Sequence, residues 1–353
     1  MDFNLTDDRR MLQDSLRRFL TDQYPIEHRN KIAYEAPFHD TSKWAEMAEL
    51  GVLHALATEE AGGFGGSGFD ITVVFEELGR ALCPEPILGA LMASRLLAAA
   101  GEDQEALLDG SRRYAVAIGE IDAPYAFDLI ETTAKNDALS GRKSTVYGGN
   151  DADVILVAAK NGSKVSLYEV QASDAEVTGY CMIEGGGAAE VFLDGTKGRL
   201  LIEDSTAALQ DALDAGALAL CAEAVGLMDV TNEILLDYLR TRKQFGIAIG
   251  KFQALQHRAV DIVTEIEQAR SITIFAASRM GEADQSRAVS MAKNMIGRAA
   301  KLSSEETIQM HGGIAMTWEY PASHMAKRLV MIDHQLGDTD YHLTRVMDAI
   351  SAA

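Results

Sequence analysis

Tyr114–Gly119 (YAVAIG), Leu139–Tyr147 (LSGRKSTVY), Asp153–Ala159 (DVILVAA), Lys164–Val170 (KVSLYEV) and Ala189–Gly195 (AEVFLDG) are short runs rich in Val, Leu, Ile and Tyr. Gly, Asn and Asp separate them. Such side chains fit a pleated surface and such separators make turns, so the stretch from about 114 to 195 predicts a small antiparallel β domain. Outward in both directions the period becomes helical.

Upstream, Thr6 is placed to cap a helix whose first turn holds Asp7 and Asp8, where carboxylates suit the positive end of the dipole. Leu12, Leu16, Phe19 and Leu20 follow at helical spacing. A second helix carries Trp44, Met47 and Leu50 and stops at Gly51. Asp70 opens a third, with Val74, Phe75 and Leu78 inward and Glu76, Glu77 and Arg80 outward, broken by Cys83–Pro86; Ile87–Ala100 is another. Downstream of about Asp204, long helical segments end near Arg240, Met280 and Met310. The expected division is an N-terminal helical domain (1–112), a middle β domain (113–200) and a C-terminal helical domain (201–353). A β module between two helical regions, with no βαβ alternation, argues against a doubly wound nucleotide fold.

Composition narrows the function classes. A net charge of −21 with no long basic run makes nucleic acid and anionic membranes poor partners, so an anionic ligand needs a local cluster of Lys or Arg. Cys83, Cys181 and Cys221 are isolated, and the eight His show no paired spacing; neither a disulfide framework nor a metal site is expected. The charged, amphipathic start is unlike a signal peptide, and no apolar stretch approaches a membrane span, which reads as cytoplasmic. The glycosylation-type matches at Asn4 and Asn161 are then coincidental.

Gly63–Gly68 (GFGGSG) matches G-x-G-x-x-G literally, but it follows ATEEAG rather than a buried strand and reads as an inter-helix loop. Arg240–Gln256 (RTRKQFGIAIGKFQALQ) gathers Arg242, Gln244, Phe245, Phe252 and Gln253 around a turn. Guanidinium and amide donors beside aromatic faces suit a phosphate-bearing planar cofactor. Chemistry alone favours the plainer reading, a helix–helix connection with a solvated basic edge. Gln309–Pro321 (QMHGGIAMTWEYP) pairs glycines after a helix, which lets a backbone approach a ligand, or simply ends the helix at Gly312.

Those two loops, with MDFNLTDDRRMLQDSLRRFL at residues 1–20 and LGVLHALATEEAGGFGGSGFDITVVFEELGRALCPEP at 50–86, resemble the acyl-CoA dehydrogenase family in the same order over nearly the whole chain. The resemblance implies a mainly α fold with a β domain, its C-terminal domain a four-helix bundle. It implies FAD held between the β and C-terminal domains. By matching position, Arg242, Gln244 and Phe245 would contact FAD across a subunit interface, with Phe252 beside them, and Gln309, Gly312 and Gly313 would line the pyrophosphate path. At least a dimer follows, and by family habit a dimer of dimers, with an acyl-CoA thioester as substrate and an electron-transferring flavoprotein as acceptor. The family's reaction removes an α-proton to a carboxylate and a β-hydride to flavin, giving a trans-enoyl-CoA.

The sequence departs from that pattern where the carboxylate is expected. In HQLGDTDYHL (334–343) Leu336 stands before Gly337 in place of glutamate, and the alternative position, in ALDAGALALCAEAVGLM (212–228), is Gly216. The segment that touches flavin and substrate is replaced by IGEIDAPYAFD (118–128), and an aromatic-Ile-Thr-Asn segment by Thr145-Val146-Tyr147-Gly148. Three explanations stand open. The chain is one half of a heteromer whose partner supplies the base, as the LGDTDYH ending and short chain resemble small subunits of steroid side-chain and pimeloyl- or dicarboxyl-CoA dehydrogenases. Asp338, or else Asp340 or Asp214, takes over as catalytic base. Or the chain binds FAD without this chemistry. Steroid side chains, dicarboxylates, aromatic acyl groups and fatty acyls all remain open as substrates, with Arg142, Lys143, Lys327 and Arg328 as candidates for the CoA phosphates.

Overall fold

The computed structural model describes residues 5–351, so Asn4 lies outside it. Seven helices come first: α1 (Asp7–Gln23), α2 (Ile26–Tyr34), α3 (Thr41–Glu49), α4 (Val52–Leu56), α5 (Gly68–Arg80), α6 (Ile87–Ala100) and α7 (Glu105–Leu108). Eight strands follow: β1 (Tyr114–Ala117), β2 (Thr133–Lys135), β3 (Ala138–Tyr147), β4 (Val154–Asn161), β5 (Lys164–Gln171), β6 (Glu176–Cys181), β7 (Gly187–Lys197) and β8 (Arg199–Ile202). Then come α8 (Thr206–Thr241), the short pair β9 (Lys243–Gln244) and β10 (Ile247–Ala248), α9 (Gln253–Ser278), α10 (Gln285–His311), α11 (Pro321–His334) and α12 (Thr339–Ser351). The helix, sheet, helix order matches the expected fold class. Thr6 caps α1, its hydroxyl accepting from the Arg9 N–H.

By compactness the chain forms a sheet unit (28–70 and 84–216) and a helical unit (1–27, 71–83 and 217–353). In the sheet unit the strand order is β6-β7-β3-β2-β4-β5-β8, with β1 also on β4. The sheet is mixed, not purely antiparallel. β1 runs parallel to the start of β4 (Tyr114 opposite Val154) and β2 parallel to its end (Thr133 opposite Lys160). Together they are one interrupted strand, parted by the loop 118–132. β4 is buried along Val154–Ala159, so both of its faces are covered there, and its Ile155 and Val157 join Leu139, Val146, Tyr168 and Val191 in the sheet's core.

In the helical unit, α5 and α8 approach through paired glycines. A Cβ on Gly79 would overlap the Glu223 carbonyl oxygen, and one on Gly226 the Glu76 carbonyl oxygen. Glu77 corrects the expected outward face of α5: its carboxylate is 1% exposed and takes a bidentate pair from Arg17 of α1, at 2.5 and 2.8 Å. An acid can face inward there because both its oxygens are met by one guanidinium.

Candidate functional site

α8 ends at Thr241, where the Arg242 N–H still bonds the Tyr238 carbonyl at 2.8 Å. β9 and β10 then pair antiparallel, Gln244 opposite Ile247, leaving Phe245 and Gly246 as a two-residue turn with φ of 51° and 82°. Positive φ at both positions is the type I′ hairpin, a turn that favours Asn-Gly. Phe in that place is strained, and its ring is 92% exposed, meeting Phe252 edge-on at 6.2 Å. Arg242 and Gln244 are exposed, and among the described residues no side-chain bond engages the guanidinium or the amide.

The second loop lies at the same end of the helical unit. The Tyr238 ring meets His311 at 4.7 Å in a tilted arrangement, and His311 meets Tyr320 at 5.1 Å, which ties the end of α8 to the end of α10. His311 is buried, bonds the Thr307 carbonyl through Nδ1, and has its pKa lowered by that burial. It is a structural histidine. Beyond it Gly312 turns the chain at φ 70°, and neither Gly312 nor Gly313 has any atom within 4 Å of where a Cβ would stand. Gln309 beside them is exposed. Two bare glycines, one unengaged guanidinium, exposed amides and an exposed ring form a donor set that fits a dinucleotide such as FAD.

The positions expected to hold a catalytic carboxylate are filled otherwise. Leu336 is 6% exposed with φ 56°, and Gly216 lies buried within α8. Asp338 is exposed, and its Oδ1 accepts the Tyr341 N–H at 2.8 Å, the capping arrangement for α12. Asp340 sits exposed in the first turn of that helix. Asp214 is buried and accepts from the Gln210 amide at 2.8 Å. At 100° per residue it points about 200° round the helix from Gly216.

The loop replacing the flavin-touching segment is pinned from inside. Glu120 accepts N–H groups from Glu131 (2.7 Å) and Thr132 (3.0 Å), and Lys143 Nζ reaches it at 2.7 Å and the Ile118 carbonyl at 3.0 Å. Burial pulls the Lys143 ammonium down to about 8. Burial would raise Glu120, but Lys143 and the N–H donors hold it below the ordinary carboxylate value. The pair is charged at neutral pH. Lys143 is thus removed from the CoA-phosphate candidates by burial, and Arg328 by a bidentate pair with Glu223 (2.6 and 2.7 Å). Arg142 bonds Glu190 at 2.9 Å, and Lys327 sits 5.1 Å from the Trp318 ring. Sequence reasoning passed over the Lys143–Glu120 pair and Lys293, whose partners are distant in the chain.

Among the described residues no helix is long and apolar enough to cross a membrane, and no three His, Cys, Asp or Glu could hold a metal ion. Profiles of the acyl-CoA dehydrogenase N-terminal and C-terminal domains match residues 6–109 and 206–351. Acyl-CoA dehydrogenase IpdE2 of Mycobacterium tuberculosis is 30% identical, over 82% of this chain and 80% of its own. A solved Tcur3481–Tcur3483 steroid ACAD variant superposes with a TM-score of 0.90 at 28% identity, covering 98% of both chains. The ChsE4–ChsE5 complex from Mycobacterium tuberculosis gives 0.91 at 23% identity over 100% of both, a likeness of fold.

Proposed function

Because this chain belongs to the acyl-CoA dehydrogenase family, a family of oxidoreductases, we propose that it is the FAD-binding half of a two-chain dehydrogenase whose second chain supplies the catalytic base. The reaction is oxidation of an acyl-CoA thioester across its α,β-bond. FAD, when bound, takes up the β-hydride. Arg242, Gln244 and Phe245 with Phe252 hold its adenosine side, and Gln309 with the backbone at Gly312 and Gly313 holds its pyrophosphate.

The observation that carries the two-chain reading is Leu336, a buried aliphatic side chain where the reaction needs a carboxylate. An α-proton beside a thioester is weakly acidic, so its base must sit dry and close. Asp338 is solvated and occupied as a helix cap, and Asp214 is turned away from the Gly216 side. The helical unit also holds a groove of about 890 Å³, its floor Val263, Ile272, Met291, Met295, Leu343 and Val346, with polar side chains of α9 and Asn294 among its lining. The partner proposed for it is a homologous chain, in a dimer or dimer of dimers. Because the Tcur3481–Tcur3483 neighbour is a steroid ACAD, a steroid acyl-CoA thioester is the first substrate to try. An electron-transferring flavoprotein is the acceptor by family resemblance.

The test is activity of the purified chain alone and after mixing with a homologous larger chain that carries the glutamate. Little turnover alone and a gain of at least a hundredfold on mixing is expected. Full turnover by the chain alone, lost in Asp338→Asn, would return the base to Asp338.

A further inference from the structure

Lys293 of α10 is wholly buried with no carboxylate bonded to it. Its Nζ instead reaches three carbonyls: Ile332 at 2.7 Å, Asp333 at 3.0 Å and Gly337 at 2.9 Å. An ammonium has three N–H groups, and here each finds one acceptor. The first two acceptors are among the last carbonyls of α11, which have no partner within a helix and carry its negative end. The third lies in the loop that follows.

That loop is braced on every side. His342 of α12 donates from Nε2 to the Leu336 carbonyl (3.0 Å) and accepts from Ser290 at Nδ1 (3.2 Å), a tautomer set by the carbonyl's inability to donate. The Asn294 amide donates to the Thr339 carbonyl (2.9 Å), and the Asp333 carboxylate accepts the Thr339 N–H and hydroxyl (3.1 and 2.8 Å). Gly297 of α10 leaves the room for that last pair. Leu336 and Gly337 are held at φ 56° and 102°, and a left-handed Leu persists only where its surroundings over-determine it. A loop without its carboxylate therefore keeps a complete positioning frame.

We propose that Lys293 is a positioning residue whose three N–H bonds fix the backbone of Gln335–Thr339 as a rigid wall for the acyl-CoA ligand. The wall's role rests on the function proposed above; the clamp itself does not. Burial pulls Lys293 down to about 8, against Asp333 of α11 and Asp338 of the loop, which favour its charge, while Arg328 opposes it; Cys221 of α8 faces it as a neutral thiol, its pKa raised by burial. His342 faces it from α12 and stays neutral, its pKa pushed to about 3. At pH 7 the ammonium is intact. Above pH 8 a neutral amine keeps two N–H groups, and one carbonyl is released.

Hydrogen exchange of the full chain without ligand tests the clamp, with intrinsic rates divided out and α9 as the internal reference. In wild type, protection at Leu336–His342 falls at least threefold between pH 7 and 9. In Lys293→Met it is at least tenfold lower at pH 7 and no longer varies with pH, while α9 is unchanged; Lys293→Gln, with two N–H groups, lies between. Wild-type protection in Lys293→Met, or equal losses in α9, would overturn the proposal. Should Lys293→Met not fold, Lys293→Gln decides: wild-type protection at the loop, or equal losses in α9, overturns the proposal. No flavin or substrate enters this measurement, so its failure is separable from failure of the proposed function.

Discussion

Phe245 carries two costs, a left-handed backbone and an almost fully displayed aromatic ring, against which the described residues set only the edge contact with Phe252. Beside it Arg242 holds a charge with no engaged partner among the described residues. Both make sense as contacts kept for another molecule. Arg242→Ala removes a charged donor worth about 1.5–3 kcal/mol, so FAD affinity should fall roughly ten- to a hundredfold while the melting temperature stays put. Equilibrium dialysis against FAD checks this; unchanged affinity would remove Arg242 from the site. The sequence could single them out because their motif is contiguous. Lys293 was not, since its acceptors lie 39 to 44 residues away and a lone Lys in a helix reads as solvated. His39 was equally silent. Burial would lower its pKa, but Asp151 and Glu85, each at 2.9 Å, raise it to about 9. The rise from 6.5 corresponds to about 3 kcal/mol of stability, fully present below pH 6.5 and lost as pH climbs through 9. Urea titrations at a series of pH values should show that slope, and His39→Leu should flatten it.

Helices and strands were read well where periodicity was long and poorly where the pairing partner was distant. Ile87–Ala100 was placed to the residue, and the ends of α8, α9 and α10 fell within two residues of expectation. The parallel pairing of β1 and β2 with β4 was missed because a four-residue and a three-residue strand carry no sign of direction. What joins them, the loop 118–132, is set by the buried Lys143–Glu120 pair rather than by turn residues. Close helix packing was hidden too. Gly79 and Gly226 look like tolerated glycines in amphipathic helices, yet each faces a carbonyl oxygen of the opposite helix. Gly226→Ala forces α5 and α8 apart and should cost about 1–3 kcal/mol by urea unfolding. Wild-type stability would mean that the crossing yields freely.

Across the whole molecule, the order of helices, sheet and helices was legible from the change of period, and the family from four motifs in sequence. Leu336 and Gly216 stand where the resemblance puts a glutamate, which the sequence alone displays, but it left open whether a nearby aspartate serves instead. Geometry bears on that choice: Asp338 caps α12 in solvent, and Asp214 lies round the helix from Gly216. The most direct test of a flavin-binding half without its own base is the visible absorption spectrum of the purified chain, recorded anaerobically before and after adding a panel of acyl-CoA thioesters. A flavin band that no thioester bleaches until the homologous larger chain is added is the predicted result. Bleaching by the chain alone, or the absence of any flavin band after incubation with FAD, would contradict it.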